Sequence, residues 1–250
     1  MKKIALLGFG VIGKKLYEQI LKESLLEIIF IYDPKEEVPT HLALANPPSG
    51  DDFAKVDLVI EIAASKVVES FGREIVKHTD LMPFSLTALA NQKLFDDILE
   101  VAILHQHRLF IPHGAILGLD GIFDGRNLFD EVQIVTIKNP KSLGRNDMAR
   151  SIVYEGNARD VAELMPKNVN VHAALALAGI GFDKTKSVLI SDPGIKENTH
   201  MITVKNADTV FEIVTRSNPI GAVTGAFTPI SAYGSIKRAL GICEKGFLIV

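Results

Sequence analysis

GFGVIG, residues 8–13, is the stretch that decides the fold, because it joins the apolar run IALLG (4–8) to a segment with helical spacing. Its three glycines, Gly8, Gly10 and Gly13, suit a turn that binds a dinucleotide. The first permits a tight bend, the second lets the backbone approach a pyrophosphate, and the third allows the helix to pack closely on the strand. A glycine-rich turn with a purely structural role is the alternative.

The residues around this turn support the first interpretation. Val11 and Ile12 open the helix, where backbone amides and the helix dipole supply donors and partial positive charge for a phosphate. Asp33 ends the next strand, EIIFIYD (27–33), and a carboxylate there accepts hydrogen bonds from an adenosine ribose. Because Asp33 repels a 2′-phosphate, we expect NAD as the cofactor, while Lys35 leaves NADP use open.

The pattern of apolar residues predicts an α/β fold. Strands alternate with helices through the first hundred or so residues, which is typical of a doubly wound, Rossmann-type parallel sheet. The strands are expected at 4–8, 27–33, 57–64, 80–85 and 108–114, and the helices that follow the first one at about 66–78 and 92–105.

The rhythm changes after about residue 115, where period-two alternation predicts an α+β domain built on a mostly antiparallel sheet. A last helical segment, about 225–240, is expected to return to the first domain. We therefore predict a Rossmann-type domain of residues 1–114 and 221–250 and a second domain of residues 115–220. The strands of the second domain are expected at 131–139, 151–156, 186–192, 200–206 and 209–217, with one helical block between 157 and 181.

The composition excludes several kinds of partner and site. A net charge of −3 gives no electrostatic reason to bind nucleic acid or an anionic membrane, and no apolar stretch reaches the ~18 residues that span a bilayer. The single cysteine, Cys243, suits a reducing compartment, so we expect a cytoplasmic protein. The histidines of HQHRLFIPH (105–113) lack partners at metal-ligand spacing, and no metal is predicted.

One histidine stands at the start of an apolar strand. In DPGIKENTHMITV (192–204), His200 shares a strand face with Ile202 and Val204. Its position alone leaves open whether it is a buried structural residue or an imidazole presented by the polar loop before it. His172, within the helical run NVNVHAALALAG, is expected to be packed or partly exposed and not catalytic.

A lysine-bearing turn forms the second polar segment. In IKNPKSLG (137–144), Lys138 and Lys141 flank an Asn-Pro turn, and Ser142 follows. A strand end followed by such a turn can aim an ammonium, a hydroxyl and backbone amides at an anion. The alternative is a surface turn with solvated lysines.

The motifs together resemble a known family. Their order along the chain is similar to that of the L-aspartate dehydrogenases, NAD(P)-dependent enzymes linked to the start of NAD biosynthesis. The resemblance spans nearly the whole chain and implies a Rossmann domain plus an antiparallel α+β domain for catalysis and dimerisation, hence a homodimer. The motifs that carry it are GFGVIG, PHGAILGLDG (112–121), TIKNPKSLG (136–144), YEGNARDVAELMPKNVNV (154–171) and ISDPGIKENTHMITV (190–204).

The resemblance assigns roles to particular residues. His200 matches the family's active-site histidine, and Ala115 and Asn170 match positions that contact NAD near the nicotinamide. The turn with Lys141 and Ser142 lies where family members build part of the substrate pocket, so these residues are expected substrate ligands. Apart from the resemblance, Asn198 or Thr199 is expected to orient His200, and Asn198 is also an expected substrate ligand. One departure is His113, which stands where the family usually has a serine.

The reaction implied is the reversible oxidative deamination of L-aspartate to iminosuccinate, which water hydrolyses to oxaloacetate and ammonia. Such chemistry needs an imidazole that titrates near neutrality, and His200 is expected to fill that role. Two alternatives stay open. One is another NAD(P)-dependent oxidoreductase of similar layout, like dihydrodipicolinate reductase or homoserine dehydrogenase, acting on a different small acid. The other is a non-catalytic NAD-binding sensor.

Overall fold

A computed structural model describes residues 1–220 and 224–242 of the chain. The chain forms two compact units by its internal contacts. The first comprises Met1–Ser85, Gln92–Pro112 and the segment from Pro229 onward; the second comprises Leu86–Asn91 and His113–Thr228. The sequence-based domain limits, 114/115 and 220/221, stay a prediction. Cys243 and the ends of the predicted segment 221–250 lie outside the described residues.

The elements in chain order begin with strands and helices in alternation. Up to residue 105 they are β1 (Lys2–Leu7), α1 (Val11–Ile20), β2 (Leu26–Tyr32), α2 (Gly50–Phe53), β3 (Leu58–Glu61), α3 (Ser65–His78), β4 (Asp80–Pro83), a 3₁₀ turn (Leu86–Ala90) and α4 (Gln92–His105). They continue with α5 (Leu119–Gly125), β5 (Glu131–Lys138), a 3₁₀ turn (Pro140–Leu143), β6 (Ser151–Asn157), α6 (Ala158–Leu164), α7 (Asn170–Ala178), β7 (Lys186–Ser191), β8 (Asn198–Lys205), β9 (Val210–Ser217), β10 (Pro219–Ile220), β11 (Thr224–Gly225) and α8 (Thr228–Ala239).

The sheet of the first unit is parallel throughout, with strand order β2-β1-β3-β4. Helix α8 returns to this unit, where Ala232 and Ile236 are fully buried in the same apolar core as Leu16 and Ile20 of α1. Both features confirm the predicted Rossmann-type architecture with a returning C-terminal helix.

The second unit is built on a five-stranded mixed sheet of order β6-β7-β5-β8-β9. Only β5 and β7 are parallel; the remaining pairs of this sheet are antiparallel, as the alternating pattern predicts. Its inner face is buried along β5, where every second residue, from Val132 through Ile134 and Thr136 to Lys138, points inward. Helix α7 packs against this sheet with mostly apolar side chains, and His172 is among its buried residues.

Two expectations from the sequence are wrong in detail. Residues 108–114 form no strand, because Leu109 makes only an isolated bridge to Leu81 and Pro112 then removes a donor from the ladder. The single helical block after β6 is two helices, α6 and α7, since the chain breaks around Pro166, which cannot continue a helix.

Candidate active site

The glycine turn after β1 has a backbone conformation and close backbone contacts that require glycine at two of its positions, Gly8 and Gly13. Gly8 has a positive φ of +111°, and a Cβ there would lie 2.8 Å from the carbonyl carbon of Ile62. A Cβ on Gly13 would lie 2.7 Å from the carbonyl oxygen of Gly8. A Cβ on Gly10 would meet no atom within 4 Å, so the space above the start of α1 is open to a ligand. This geometry fits a pyrophosphate placed against the backbone.

The N-terminus of α1 is suited to an anion. Gly10 is the N-cap and brings no side-chain cap, and the first turn, which begins at Val11 and Ile12, contains no acidic residue. The first amides of a helix lack intrahelical acceptors, and together with the helix dipole they favour a bound phosphate.

Asp33 has two tasks at this turn. Its Oδ2 accepts a hydrogen bond of 2.7 Å from the amide of Phe9, inside the glycine turn. Its Oδ1 accepts from the amides of Lys35 and Glu36, at 2.9 and 3.2 Å. A carboxylate offers about four acceptor sites, so Asp33 has capacity left for a ribose hydroxyl. The side chain therefore holds the turn in place and keeps capacity for a further donor.

Glu61, a buried acid that the sequence does not single out, shapes the loop beside Gly8. Its Oε1 accepts hydrogen bonds from the amides of Ala63 and Ala64, at 2.8 and 2.9 Å, and both carboxylate oxygens accept from Ser85. Burial raises the pKa of Glu61 to about 7, although these hydrogen bonds act in the opposite direction. The carboxyl group thus fixes the loop at the end of β3.

His200 lies on the buried inner face of the second unit's sheet. It is 4% exposed, and strand pairing sets it opposite Thr136 of β5. Asn198, two residues earlier on the same strand face, is 3% exposed, as is Lys138, two residues after Thr136 on β5. The sheet therefore places two predicted site residues, His200 and Asn198, on the same buried face as Lys138. Lys141, not Lys138, is the lysine that the sequence predicts as a substrate ligand.

Lys138 is a buried cation without an anionic partner in the part of the chain that the structure describes. Its Nζ donates a hydrogen bond of 3.0 Å to the carbonyl oxygen of Asn168. Burial lowers the pKa of Lys138 to about 8, since removing an ammonium from water disfavours its charged form. The position follows from parity: Lys138 shares the inward set with Val132 and Ile134, a signal that the sequence does carry.

Lys141 and Ser142 lie in the 3₁₀ turn that follows β5. Lys141 is exposed and Ser142 is partly buried. The amides of Lys141, Ser142 and Gly144 already donate to acceptors in this turn, contrary to the expectation that the turn offers free amides to an anion. Asn139 accepts from both amides, through Oδ1 from that of Lys141 at 3.2 Å and through its carbonyl from that of Ser142 at 3.0 Å, and the amide of Gly144 donates to the carbonyl of Lys141.

A chain of buried hydrogen bonds runs from His200 into the core. Its Nδ1 lies 2.9 Å from the hydroxyl of Thr136, and that hydroxyl lies 2.7 Å from Nε2 of His172. Nδ1 of His172 in turn contacts the hydroxyl of Ser187. All four side chains are buried. His172 is packed, as expected, but the expectation misses that it is linked to His200, because the contact depends on how α7 sits on the sheet.

Both imidazoles of this chain are neutral at physiological pH. Burial, followed by the positive charge of Lys138, lowers the pKa of His200 to about 3. Burial, followed by the Coulombic repulsion that His200, when protonated, and Lys138 exert on a second positive charge, brings the pKa of His172 well below its usual range. The expectation of an imidazole that titrates near neutrality is therefore wrong for this structure, because the sheet face that holds His200 excludes water.

The two positions expected near the nicotinamide lie in the second unit. Asn170 begins α7, and its Oδ1 accepts from the amide and the hydroxyl of Thr87, at 3.2 and 3.3 Å. Ala115 lies in the segment between α4 and α5, directly after Gly114, whose φ is +61°. Within residues 1–220 and 224–242 there is no group of three metal-ligating side chains, and no helix there has the length and apolar character to cross a membrane.

Family models match both parts of the chain. Residues 8–112 match the model described as "Homoserine dehydrogenase, NAD binding domain", and residues 123–239 match "Aspartate dehydrogenase, C-terminal". A solved homoserine dehydrogenase of a hyperthermophilic archaeon, in complex with NADPH, has a TM-score of 0.61 at 12% identity over 97% of this chain and 99% of that one, a likeness of fold alone.

Relatives named L-aspartate dehydrogenase match nearly end to end. The protein of Archaeoglobus fulgidus is 33% identical over 98% of this chain and 99% of its own length, and that of Methanopyrus kandleri is 32% identical over 95% and 97%. The crystal structure of the Thermotoga maritima aspartate dehydrogenase has a TM-score of 0.81 at 26% identity and covers 100% of both chains. With identities above 30% over almost its entire length, this chain belongs to the L-aspartate dehydrogenase family.

Proposed function

We propose that this protein catalyses the reversible, NAD(P)-dependent oxidation of L-aspartate to iminosuccinate, which water converts to oxaloacetate and ammonia. The observation that carries the proposal is the buried, unpaired ammonium of Lys138 beside the neutral imidazole of His200. A buried cation without an anionic partner is costly, and a substrate carboxylate is the group that would neutralise it.

Lys138 is the proposed ligand of one substrate carboxylate. Among the described residues its ammonium uses one of its three N–H donors, in the hydrogen bond to Asn168, which leaves two for carboxylate oxygens. A charge-assisted pair in this water-poor setting is stronger than one at the surface. The second carboxylate of aspartate would contact the side chains of Lys141 and Ser142, with Asn198 beside the reacting carbon.

His200 is the proposed catalytic residue. A bound nicotinamide would supply the acceptor for the hydride of the aspartate α-carbon, or its donor in the reverse direction. His200 polarises the imine or carbonyl at that carbon by a hydrogen bond from its neutral ring, a task that suits a buried imidazole with a pKa of about 3. Thr136 fixes the ring through Nδ1, which leaves Nε2 for the substrate.

The cofactor is proposed to lie on the glycine turn of the first unit. Gly8, Gly10 and Gly13 would take the pyrophosphate together with the amides that begin at Val11 and Ile12, and Asp33 would take the adenosine ribose. Its negative charge supports NAD over NADP. Ala115 and Asn170 are the proposed contacts near the nicotinamide, on the strength of the motif match.

A steady-state assay of NADH oxidation with oxaloacetate and ammonia, repeated with NADPH, tests the reaction. We expect turnover with both substrates present and a higher kcat/KM for NADH. A preference for another oxo-acid would favour an oxidoreductase of similar layout, and NADH binding without turnover would favour a sensor. In Lys138→Met we expect the KM for oxaloacetate to rise about 10- to 100-fold, the loss of one charge-assisted hydrogen-bonded contact. An unchanged KM would remove Lys138 from the substrate site.

The assembly and the setting are further parts of the proposal. The outer face of the five-stranded sheet exposes apolar side chains, among them Ile152, Met201 and Val214, at 60%, 43% and 48%. Such a face supports a homodimer, and light scattering of the purified protein would measure it. A cytoplasmic location, expected from the single cysteine, and a link to NAD biosynthesis, implied by the family, are tested by cell fractionation and by deletion of the gene.

A further inference from the structure

The hydrogen bonds that link Ser187, His172, Thr136 and His200 can run in either of two directions, depending on which atom of each pair donates. Thr136 and Ser187 each have one hydroxyl hydrogen, and each neutral imidazole has one N–H and one acceptor nitrogen. The order of contacts is Ser187 Oγ, His172 Nδ1, His172 Nε2, Thr136 Oγ1 and His200 Nδ1. Since Ser187, His172 and Thr136 are fully buried, each of their hydrogens needs an acceptor within the chain or among its neighbours.

One arrangement of hydrogens gives an acceptor to every hydrogen of the three fully buried side chains, Ser187, His172 and Thr136. Ser187 donates to Nδ1 of His172, Nε2–H of His172 donates to Thr136, and Thr136 donates to Nδ1 of His200. His200 then carries its own hydrogen on Nε2, which has no acceptor among the described residues. His200 is, however, the one side chain of the four that keeps some exposure, 4% against 0% for the other three.

The other arrangements leave one hydroxyl hydrogen unpaired. If His200 carried its hydrogen on Nδ1 and the whole chain reversed, the hydroxyl of Ser187 would have no acceptor among the described residues. If only His200 changed, its Nδ1–H and the Nε2–H of His172 would both point at Thr136, whose own hydrogen would be stranded. An unpaired hydrogen on a fully buried hydroxyl is disfavoured relative to one on the partly exposed ring of His200, so the first arrangement prevails.

Building on the proposed function, we propose that Thr136, His172 and Ser187 are positioning residues that hold His200 in its Nε2–H tautomer, so that it meets the substrate as a hydrogen-bond donor and not as a base. The donor at Nε2 is suited to the oxygen or nitrogen on the reacting carbon, where electron density rises when that atom's double bond is reduced. No net proton transfer through the chain is required.

The tautomer is measured directly by long-range ¹H–¹⁵N NMR of the cofactor-free protein, with the signals of His200 assigned by their loss in His200→Gln. We expect a pyrrole-type nitrogen at Nε2 and a pyridine-type nitrogen at Nδ1. A hydrogen on Nδ1 would overturn the inference, whatever reaction the protein catalyses. This readout needs no turnover, so its failure is distinct from failure of the proposed function, which the NADH assay of the wild type decides.

Variants of Thr136 separate positioning from mere packing. Thr136→Val keeps the shape of the side chain and removes its hydroxyl, whereas Thr136→Ser keeps the hydroxyl. In Thr136→Val we expect mixed tautomers at His200 and a kcat at least about tenfold lower, with little change in the KM for NADH. Thr136→Ser should restore both the Nε2–H tautomer and kcat. Equal kcat values and unchanged tautomers in all three proteins would refute the positioning role.

Ser187→Ala tests the far end of the chain, which contacts no substrate in the proposal. Without the serine donor both orientations of the chain leave one group of His172 unpaired, so the preference at His200 should weaken and both tautomers should appear. A pure Nε2–H signal in this variant would show that the direction does not come from Ser187. Thermal melting of each variant shows that it is folded.

Discussion

Replacing Lys138 by methionine removes a buried positive charge while keeping an unbranched side chain of similar length. Lys138 is 3% exposed, and burial takes its pKa from the ordinary 10.5 to about 8. At 1.36 kcal/mol per pH unit, this gap means that the charged form costs the folded state about 3 kcal/mol. Loss of the hydrogen bond to Asn168 offsets about 1 kcal/mol of the gain. At pH 7 we therefore expect Lys138→Met to be more stable by about 2 kcal/mol.

The advantage of Lys138→Met depends on pH in a defined direction. Below pH 8 the lysine is charged in both states, so the wild type bears the full cost of burying the charge. Between pH 8 and 10.5 the unfolded state binds more protons than the folded one, and the wild type gains stability as the pH rises. Above 10.5 neither state is charged, and the advantage of the variant is lost.

Urea titrations of both proteins at pH 7 and at about pH 10.5 measure this change. The difference in unfolding free energy should move by about 3 kcal/mol between the two conditions, and at pH 7 the melting temperature of the variant should be about 4–8 °C higher. Lys141→Met is the matched control, because that lysine is exposed, and its effect should stay within about 0.5 kcal/mol at both pH values. Lower stability of Lys138→Met than of the wild type at pH 7, or a difference in unfolding free energy that is the same at both pH values, would refute the reasoning.

Three further predictions follow from the two candidate sites. His200→Ala should lower kcat at least about a hundredfold while NADH binding, measured by fluorescence, stays nearly unchanged, and wild-type turnover would contradict the assignment. Asp33→Ala should shift the ratio of kcat/KM values from NADH towards NADPH; a constant ratio would mean that Asp33 does not bind the ribose. Gly8→Ala should weaken NADH binding and lower the melting temperature, because a Cβ would lie 2.8 Å from backbone at a φ of +111°, whereas Gly121→Ala, with open space around it, serves as the control.

Much of the fold could be predicted because its signals are local. The glycine spacing and the strand that precedes it define the turn at Gly8, and alternation defines the mixed sheet. The strand expected at 108–114 does not form, because a strand needs a series of hydrogen bonds to a neighbouring strand. In this segment only Leu109 forms a bridge, and that depends on where β4 ends. Local patterns do not contain that information.

The candidate site divides in the same way. His200 and Asn198 were found from a motif, and the inward position of Lys138 follows from the parity of β5. The link from His200 to His172 could not be predicted, because it joins a strand to a helix whose orientation is a tertiary property. Nor could the pKa of His200, since it depends on water excluded by residues that are distant in sequence.

The bond between Asp33 and the amide of Phe9 has an evolutionary consequence. The residue that would discriminate between the two dinucleotides also anchors the turn that would hold either one. If a lineage changes its cofactor by losing this carboxylate, it must at the same step provide another acceptor for the amide of Phe9. Otherwise the glycine turn loses one of the hydrogen bonds that hold it. Serine or asparagine at position 33 would keep an acceptor while giving up the charge. A change of cofactor in descendants of this protein should therefore pass through those two residues before it reaches alanine or glycine.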